Sequence, residues 1–209
     1  MDEGLVRIVG PTEKPRAYAD PRGGEAYHVN GSGRRSIGFP VTKGDRRGFL
    51  TAGHRGTVGS SITGHDRTAQ GTFQGSSFPG DDHAWIATNG DRTATPHVKG
   101  AAGVDVTVGG STRAPVGSSV RRSGSTTGRH RGTIEQHDTC VTYSEGTVRG
   151  ATRTTVCAEP GDSGGAYVSG DQAQGVTSGG SGNRTTGGTT YHRPVDEILS
   201  AYGLTLVTG

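Results

Sequence analysis

No apolar run in this chain travels far before a glycine, serine, asparagine or proline interrupts it, and that punctuation is the tightest limit on its fold. The first half carries the runs Arg35 to Val41, Arg47 to Ala52, His83 to Thr88 and Val104 to Val108. The second repeats the rhythm with Gly117 to Val120, Thr139 to Tyr143, Thr152 to Cys157, Gly164 to Val168, Gln174 to Thr177 and Gly188 to His192. These runs have strand length and strand composition. Many short strands joined by turns predict an all-β sandwich or a pair of barrels. The 39 glycines and 9 prolines among 209 residues are nearly double the share of about 12 % that those two usually hold, which excludes a helical bundle or coiled coil. Only the end changes period. Val195, Ile198, Leu199 and Tyr202 fall on one helical face, with Pro194 to open a short C-terminal α-helix and Gly203 to close it.

Other function classes find little support. No run of 18 apolar residues occurs, so nothing here spans a membrane as a helix. The net charge is +3 with 22 Lys+Arg, but residues such as Arg16, Arg46, Arg67, Arg92, Arg113, Arg149 and Arg193 are scattered among Gly, Ser and Thr. A nucleic-acid surface would cluster them with aromatics on one element, so no nucleic-acid partner is expected. His-Glu-x-x-His and Cys-x-x-Cys spacings are absent, as is a phosphate loop with its lysine, so neither a metal nor another cofactor is expected. Cys140 and Cys157 allow one disulfide at most. Met1-Asp2-Glu3-Gly4 carries no basic flank followed by an apolar stretch, so no export signal is expected there.

Chemistry enters at Gly161-Asp162-Ser163-Gly164-Gly165. Flanking glycines let the backbone turn sharply, exposing one hydroxyl with amide hydrogens beside it that could hold an oxyanion. The same string also suits a plain turn. As a nucleophile, Ser163 needs a base to accept its proton and a carboxylate to orient that base. His54, in Thr51-Ala52-Gly53-His54 at the end of an apolar strand, is the candidate base among eight histidines. Asp82, in Pro79-Gly80-Asp81-Asp82 just before Ala84-Trp85-Ile86, is the candidate carboxylate, with Asp81 its neighbouring alternative.

The chain resembles the bacterial chymotrypsin-like serine endopeptidases of the streptogrisin and alpha-lytic group, which actinobacteria secrete. Phe49-Leu50-Thr51-Ala52-Gly53-His54 is similar to the histidine motif of that family, Phe78-Pro79-Gly80-Asp81-Asp82 to its aspartate motif and Cys157 through Gly165 to its serine motif. Gly175 to Asn183 and the ending Pro194 to Gly203 match as well. The resemblance implies two antiparallel six-stranded β-barrels, residues 21–112 and 113–209 with the terminal helix, and a triad of His54, Asp82 and Ser163 in the cleft between them. It implies an oxyanion hole from the amides of Gly161 and Ser163. It also gives Asp82 the catalytic role over Asp81, because the family aspartate directly precedes its buried strand. Ser178-Gly179-Gly180 would pair with the substrate backbone, and Ala158, Glu159, Pro160, Thr177 and Thr190 would wall the specificity pocket. No acid matches a pocket base, so a large apolar or aromatic residue before the cut is expected. His192 stands where glutamate-selective relatives have a histidine, while Thr177 stands where they place the histidine that meets substrate; glutamate selectivity is therefore the alternative. Residues 1–20, from Leu5-Val6-Arg7-Ile8-Val9 to Pro15 through Asp20, resemble the end of a pro-region and its junction, with Tyr18 a self-cleavage site. Polypeptide substrates, the pro-region as folding template and inhibitor, slow refolding without it, a monomeric state and an extracellular location follow from the same resemblance.

The departures from the family pattern are concentrated at cysteines. Relatives carry three disulfides, and five of those six positions read Arg here: Arg35 and Arg55, Arg121 and Arg131, and Arg184 opposite Cys157. Arg129 stands where the family has an aromatic, and Arg122 where it has an arginine paired with the acid beside the nucleophile, here Asp162. Each lost disulfide removes about 2–5 kcal/mol, and paired replacements set two guanidinium groups side by side unless they splay apart. A Cys140–Cys157 bond is the one cross-link the composition leaves. An active endopeptidase and a protease-fold protein that binds peptides without cutting them both fit this sequence.

Overall fold

The computed structural model describes residues 20–90 and 92–209, so the expectations for Leu5 to Val9 and for Tyr18 lie outside the described residues. The first half contains β1 (Ala26–Val29), β2 (Ser32–Ser36), β3 (Pro40–Lys43), β4 (Arg46–Thr51), β5 (Ser61–Gly64), β6 (Ala69–Ser77) and β7 (His83–Thr88), then the two-residue strands β8 (His97–Val98) and β9 (Val106–Thr107). The second half contains β10 (Ser119–Gly124), β11 (Gly128–Tyr143), β12 (Gly146–Thr154), β13 (Ala166–Ser169), β14 (Gln172–Asn183) and β15 (Gly187–Pro194), followed by α1 (Val195–Tyr202) and β16 (Thr205–Leu206).

The second half is the expected six-stranded barrel, closed in the order β10-β11-β12-β15-β14-β13. The first is an antiparallel sheet in the order β16-β3-β4-β7-β6-β5-β1-β2. It holds the six expected strands, extended by β2 and β16. β2 is too polar and β16 too short to be visible as apolar runs. The sheet curls around one cluster, Tyr27, Val29, Phe49, Ile62, Phe73, Ala84 and Ile86 from five of its strands, with Ile37 from the segment after β2. A smaller cluster of Val120, Ile134, Val156 and Tyr167 fills the second barrel.

A third cluster joins the halves. Phe39, Val41, Leu50 and Trp85 from the first pack with Ala166, Val168, Ala173 and Val176 from the second and with Val195, Ile198 and Leu204. Burying each large aliphatic or aromatic side chain contributes about 1.5–3 kcal/mol, so this seam makes the cleft between the halves a fixed one. α1 seats Val195 and Ile198 in the seam and ends where Gly203 takes the left-handed conformation (φ 60°), its N–H donating to the carbonyls of Leu199 and Ser200. The chain then crosses back, pairing Thr205 with Thr42 and Leu206 with Val41 at the edge of the first sheet.

Strand pairing brings the candidate residues to one edge. β4 and β7 run antiparallel with Thr51 opposite Ala84, so the end of β4 lies beside the start of β7. His54, in the 3-10 turn Gly53–Arg55 that follows β4, thereby meets Asp82, which precedes β7.

Candidate active site

Ser163 sits in a turn that only glycine permits on either side. Gly161 and Gly164 have φ of 100° and 84°, in the region costly for side chains. A Cβ on Gly164 would lie 2.1 Å from Thr51 Oγ1, and one on Gly161 2.2 Å from Thr126 Oγ1. β2 pins the turn from the first half: Ser36 N donates to the Ser163 carbonyl at 3.0 Å, and Ser36 Oγ to the Gly161 carbonyl at 2.8 Å. From the second half, Gly164 N donates to Thr177 O at 2.8 Å.

His54 bridges the other two candidates. Its Nδ1 lies 2.8 Å from Asp82 Oδ2 and 2.9 Å from Oδ1, while its Nε2 lies 3.3 Å from Ser163 Oγ. Asp82 is fully buried. It also accepts the His54 backbone N–H at 3.0 Å and the Ser178 hydroxyl at 2.6 Å. Burial opposes its ionisation, but the hydrogen bonds from His54 and Ser178 outweigh it and hold the carboxyl below its ordinary range. Asp81 points elsewhere, pairing with Arg193 at 2.7 Å. Phe78 stacks tilted on the imidazole, with ring centroids 5.6 Å apart.

The residue beside the nucleophile is anchored independently. Asp162 and Arg122 are both fully buried and 3.2 Å apart. Asp162 also accepts the amides of Thr126, Thr127 and Glu159 and the Thr127 hydroxyl. Arg122 donates to the Cys157 carbonyl at 3.0 Å and to Thr127 Oγ1.

A cleft of about 350 Å³ opens at Ser163, within the usual range for ligand sites. Ala158, Glu159, Pro160, Thr177, Ser178, Gly179 and Gly180 line it with His54 and Ser163. Thr190 and His192 do not. Thr190 Oγ1 bonds the hydroxyls of Thr154 and Tyr167 in the barrel interior, and His192 stacks on Tyr167 with centroids 4.6 Å apart. Burial pushes the His192 ring down to about 3, so it is neutral. The sequence reading missed Phe78, Tyr143, Glu145, Gly182 and Arg55 as lining residues. Phe78 stood in the aspartate motif, Tyr143 at the end of an apolar run, Gly182 in the matching stretch Gly175 to Asn183 and Arg55 at a lost cysteine position, while nothing local marked Glu145. Among the described residues, no cluster of three His, Cys, Asp or Glu side chains could hold a metal ion.

The cysteine positions resolve plainly. Cys140 and Cys157 are both free, one exposed on β11 and the other buried after β12, which corrects the Cys140–Cys157 bond. The arginines splay as their charge demands. Arg35 Nη1 turns to the Arg34 carbonyl at 2.6 Å, whereas Arg55 Nη2 turns into the cleft, 2.9 Å from Ser163 Oγ. Arg184 pairs with Glu159 at 3.6 Å. Arg121 and Arg131 remain cross-strand partners, with Arg131 Nε donating to Ser119 Oγ at 2.8 Å. Nothing in the structure explains the choice of arginine at this pair.

The family profile described as trypsin matches residues 42–201. Streptogrisin-C of Streptomyces griseus is 63% identical over 208 residues, which cover 100% of this chain and 46% of that protein. Thermobifida fusca protease A superimposes with a TM-score of 0.87 at 50% identity, and Cellulomonas bogoriensis chymotrypsin with 0.85 at 54%; each match covers 91% of this chain and 100% of the other. The chain spans about half the length of curated relatives such as streptogrisin-C. With the profile running through most of the sequence and two solved proteases matched along their whole length, the chain belongs to the trypsin family, in its streptogrisin-like bacterial branch.

Proposed function

We propose that this chain is a serine endopeptidase that works outside the cell, with Ser163 as nucleophile, His54 as general base and acid, and Asp82 as the group that orients His54. The observation that carries this reading is the unbroken relay from Asp82 through His54 to Ser163 Oγ. Ser163 Oγ attacks the peptide carbonyl carbon while its proton passes to His54 Nε2. Asp82, ionised and accepting from Nδ1–H, fixes the tautomer that leaves Nε2 free and stabilises the imidazolium that forms. The carbonyl oxygen, now negative, is held by the amides of Gly161 and Ser163. His54 then gives its proton to the leaving amine, the C–N bond breaks, and an acyl-enzyme remains for water to hydrolyse by the reverse sequence.

The pocket walls of Ala158, Pro160, Thr177, Gly179 and Gly180 suit a large apolar or aromatic residue before the cut. Its two carboxylates do not form a basic-residue pocket, because Glu159 is paired with Arg184 and Glu145 accepts the Ser144 hydroxyl. Thr177 lines the cleft where glutamate-selective relatives place the histidine that meets substrate, which argues against glutamate selectivity. One contact favours the alternative, a peptide binder that does not cut: Arg55 donates to the oxygen that must attack. Labelling with a fluorophosphonate separates the two. Covalent modification of Ser163 that disappears in His54→Ala supports the endopeptidase, and an unlabelled chain overturns it.

A further inference from the structure

Among the described residues, Arg55 is a cation with no ion-pair partner. It is half-buried, its Nε is enclosed with no hydrogen-bond partner, and among the described residues no carboxylate comes within ion-pair distance of it. Its neighbour Arg35 shares the predicament, with a buried Nε lacking a partner and no ion pair among the described residues. Burial, followed by the charge of Arg35, works against the protonated form of Arg55 and lowers its pKa. The charge of Arg35 is felt at Arg55 although the two side chains splay, and the opposing charges of Asp82 and Glu145 act on Arg55 without an ion pair, so its partly desolvated guanidinium has room for a contacting anion.

The position of Arg55 defines which part of a peptide would supply that anion. The specificity pocket is walled by the second barrel, at Ala158 to Pro160 and Thr177 to Gly180. Arg55 comes from the first barrel, next in the chain to His54. His54 must protonate the leaving amine, so the residue that follows the scissile bond lies against the His54 side of the cleft. Arg55 Nη2, at 2.9 Å from Ser163 Oγ, is within reach of that residue's side chain. β2 carries Arg34 and Arg35 up to the same turn and adds positive charge there.

Resting on the endopeptidase reading, we propose that Arg55, backed by Arg35, is a carboxylate-binding subsite that selects an acidic residue immediately after the cut. In the free protein the guanidinium rests on Ser163 Oγ. An Asp or Glu side chain exchanges that neutral acceptor for a charged one, a stronger hydrogen bond, and draws the guanidinium off the nucleophile. Neutral residues offer no such exchange, so the acid acts on both binding and release of the serine.

Two measurements on the full chain test this. In the first, peptides share one cleaved bond, mapped by mass spectrometry, and carry Asp or Asn immediately after it. A charge-assisted contact predicts kcat/KM about tenfold or more higher for Asp. That ratio falls toward one in Arg55→Gln, keeps an intermediate value in Arg55→Lys, and shrinks in about 1 M salt. In the second, the Ser163→Ala protein binds uncleaved peptides in which a single Asp or Asn is moved stepwise along the sequence, with affinity read by calorimetry. The subsite predicts one position at which Asp binds about tenfold tighter, and loss of that advantage when Arg55→Gln is added. Equal affinities for Asp and Asn at every position, or an Asp advantage that survives Arg55→Gln, overturn the subsite. Absence of fluorophosphonate labelling would overturn the endopeptidase reading instead, and the calorimetric arm would still decide the subsite.

Discussion

The buried pair beside the nucleophile predicts an asymmetry between its two halves. Breaking a buried ion pair by removing one partner costs about 3–5 kcal/mol, because the other charge is left uncompensated. In Arg122→Met the abandoned group is Asp162, which keeps four donors: three backbone amides and the Thr127 hydroxyl. Its cost belongs at the lower end, about 3 kcal/mol. In Asp162→Ala the abandoned group is a fully buried guanidinium, and the amides of Thr126, Thr127 and Glu159 lose their acceptor as well. Each unsatisfied buried amide adds about 1–3 kcal/mol, and the total reaches the about 5–15 kcal/mol that holds a whole domain together. Asp162→Ala is therefore expected not to fold, while Arg122→Met folds with a lowered urea midpoint and an unchanged m value. Acid sharpens the test. Burial opposes ionisation of Asp162, but Arg122 and the Thr127 hydrogen bonds outweigh it and hold the carboxyl below its ordinary range. A depressed carboxyl stabilises the fold above its unfolded pKa of about 3.9, and that stability is lost as pH falls through the lower folded value. Without Arg122 the folded value rises, so Arg122→Met begins acid unfolding at higher pH than the parent. Matching urea midpoints for the two variants, or a loss in Asp162→Ala below about 1 kcal/mol, would refute the reasoning.

Further expectations rest on single contacts. Gly164→Ala places a methyl 2.1 Å from Thr51 Oγ1 at a φ of 84°, so circular dichroism should show loss of the folded state rather than a folded protein with reduced activity. Ser178→Ala removes one donor from Asp82 but leaves both His54 contacts, so steady-state kinetics should show kcat falling about tenfold with a smaller change in KM. Thiol titration of the native protein should find one rapidly reacting group, the exposed Cys140, with Cys157 reacting only after denaturation.

The parts of the fold legible in the sequence were those in which burial and apolar composition coincide. Arg47 to Ala52 and His83 to Thr88 are seen as strands because β4 and β7 sit in the middle of the first sheet and bury large side chains such as Phe49, Leu50, Trp85 and Ile86. β6 gave no such signal, because its Ala69–Ser77 sequence has one large apolar residue, Phe73, and is otherwise built of small and polar residues that tolerate close packing. β11 shows the same limit at greater length: of its 16 residues only Ile134 is buried, so the run Thr139 to Tyr143 alone resembled a strand. The terminal helix was legible from both ends, since proline and left-handed glycine are local requirements that tertiary packing does not override. In the site, the serine turn announced itself through its glycines, but the two adjacent carboxylates were told apart only by the resemblance, and the structure turns Asp82 to His54 and Asp81 to Arg193.

Arg55 was legible only as a missing cross-link, and its structural consequence raises the question of what holds His54 without one. A disulfide from position 55 to position 35 would tie the histidine turn to β2. Here the turn is tied by hydrogen bonds to other elements. Asp82 takes both the backbone N–H and the ring N–H of His54. Ser76 Oγ, on β6, reaches the carbonyls of Gly53 and Gly56 at 3.0 and 2.7 Å, one on each side of the histidine. Gly53 lets β6 approach so closely that a Cβ there would lie 2.1 Å from the Ser77 carbonyl. Folded-state geometry at His54 is thus fixed by contacts along β6 and before β7. The entropic contribution of the cross-link, which acts on the unfolded chain, has no such replacement. The arginine substitutions therefore weigh on the stability of the whole domain rather than on the alignment of the relay, and they free a side chain at position 55 to enter the cleft.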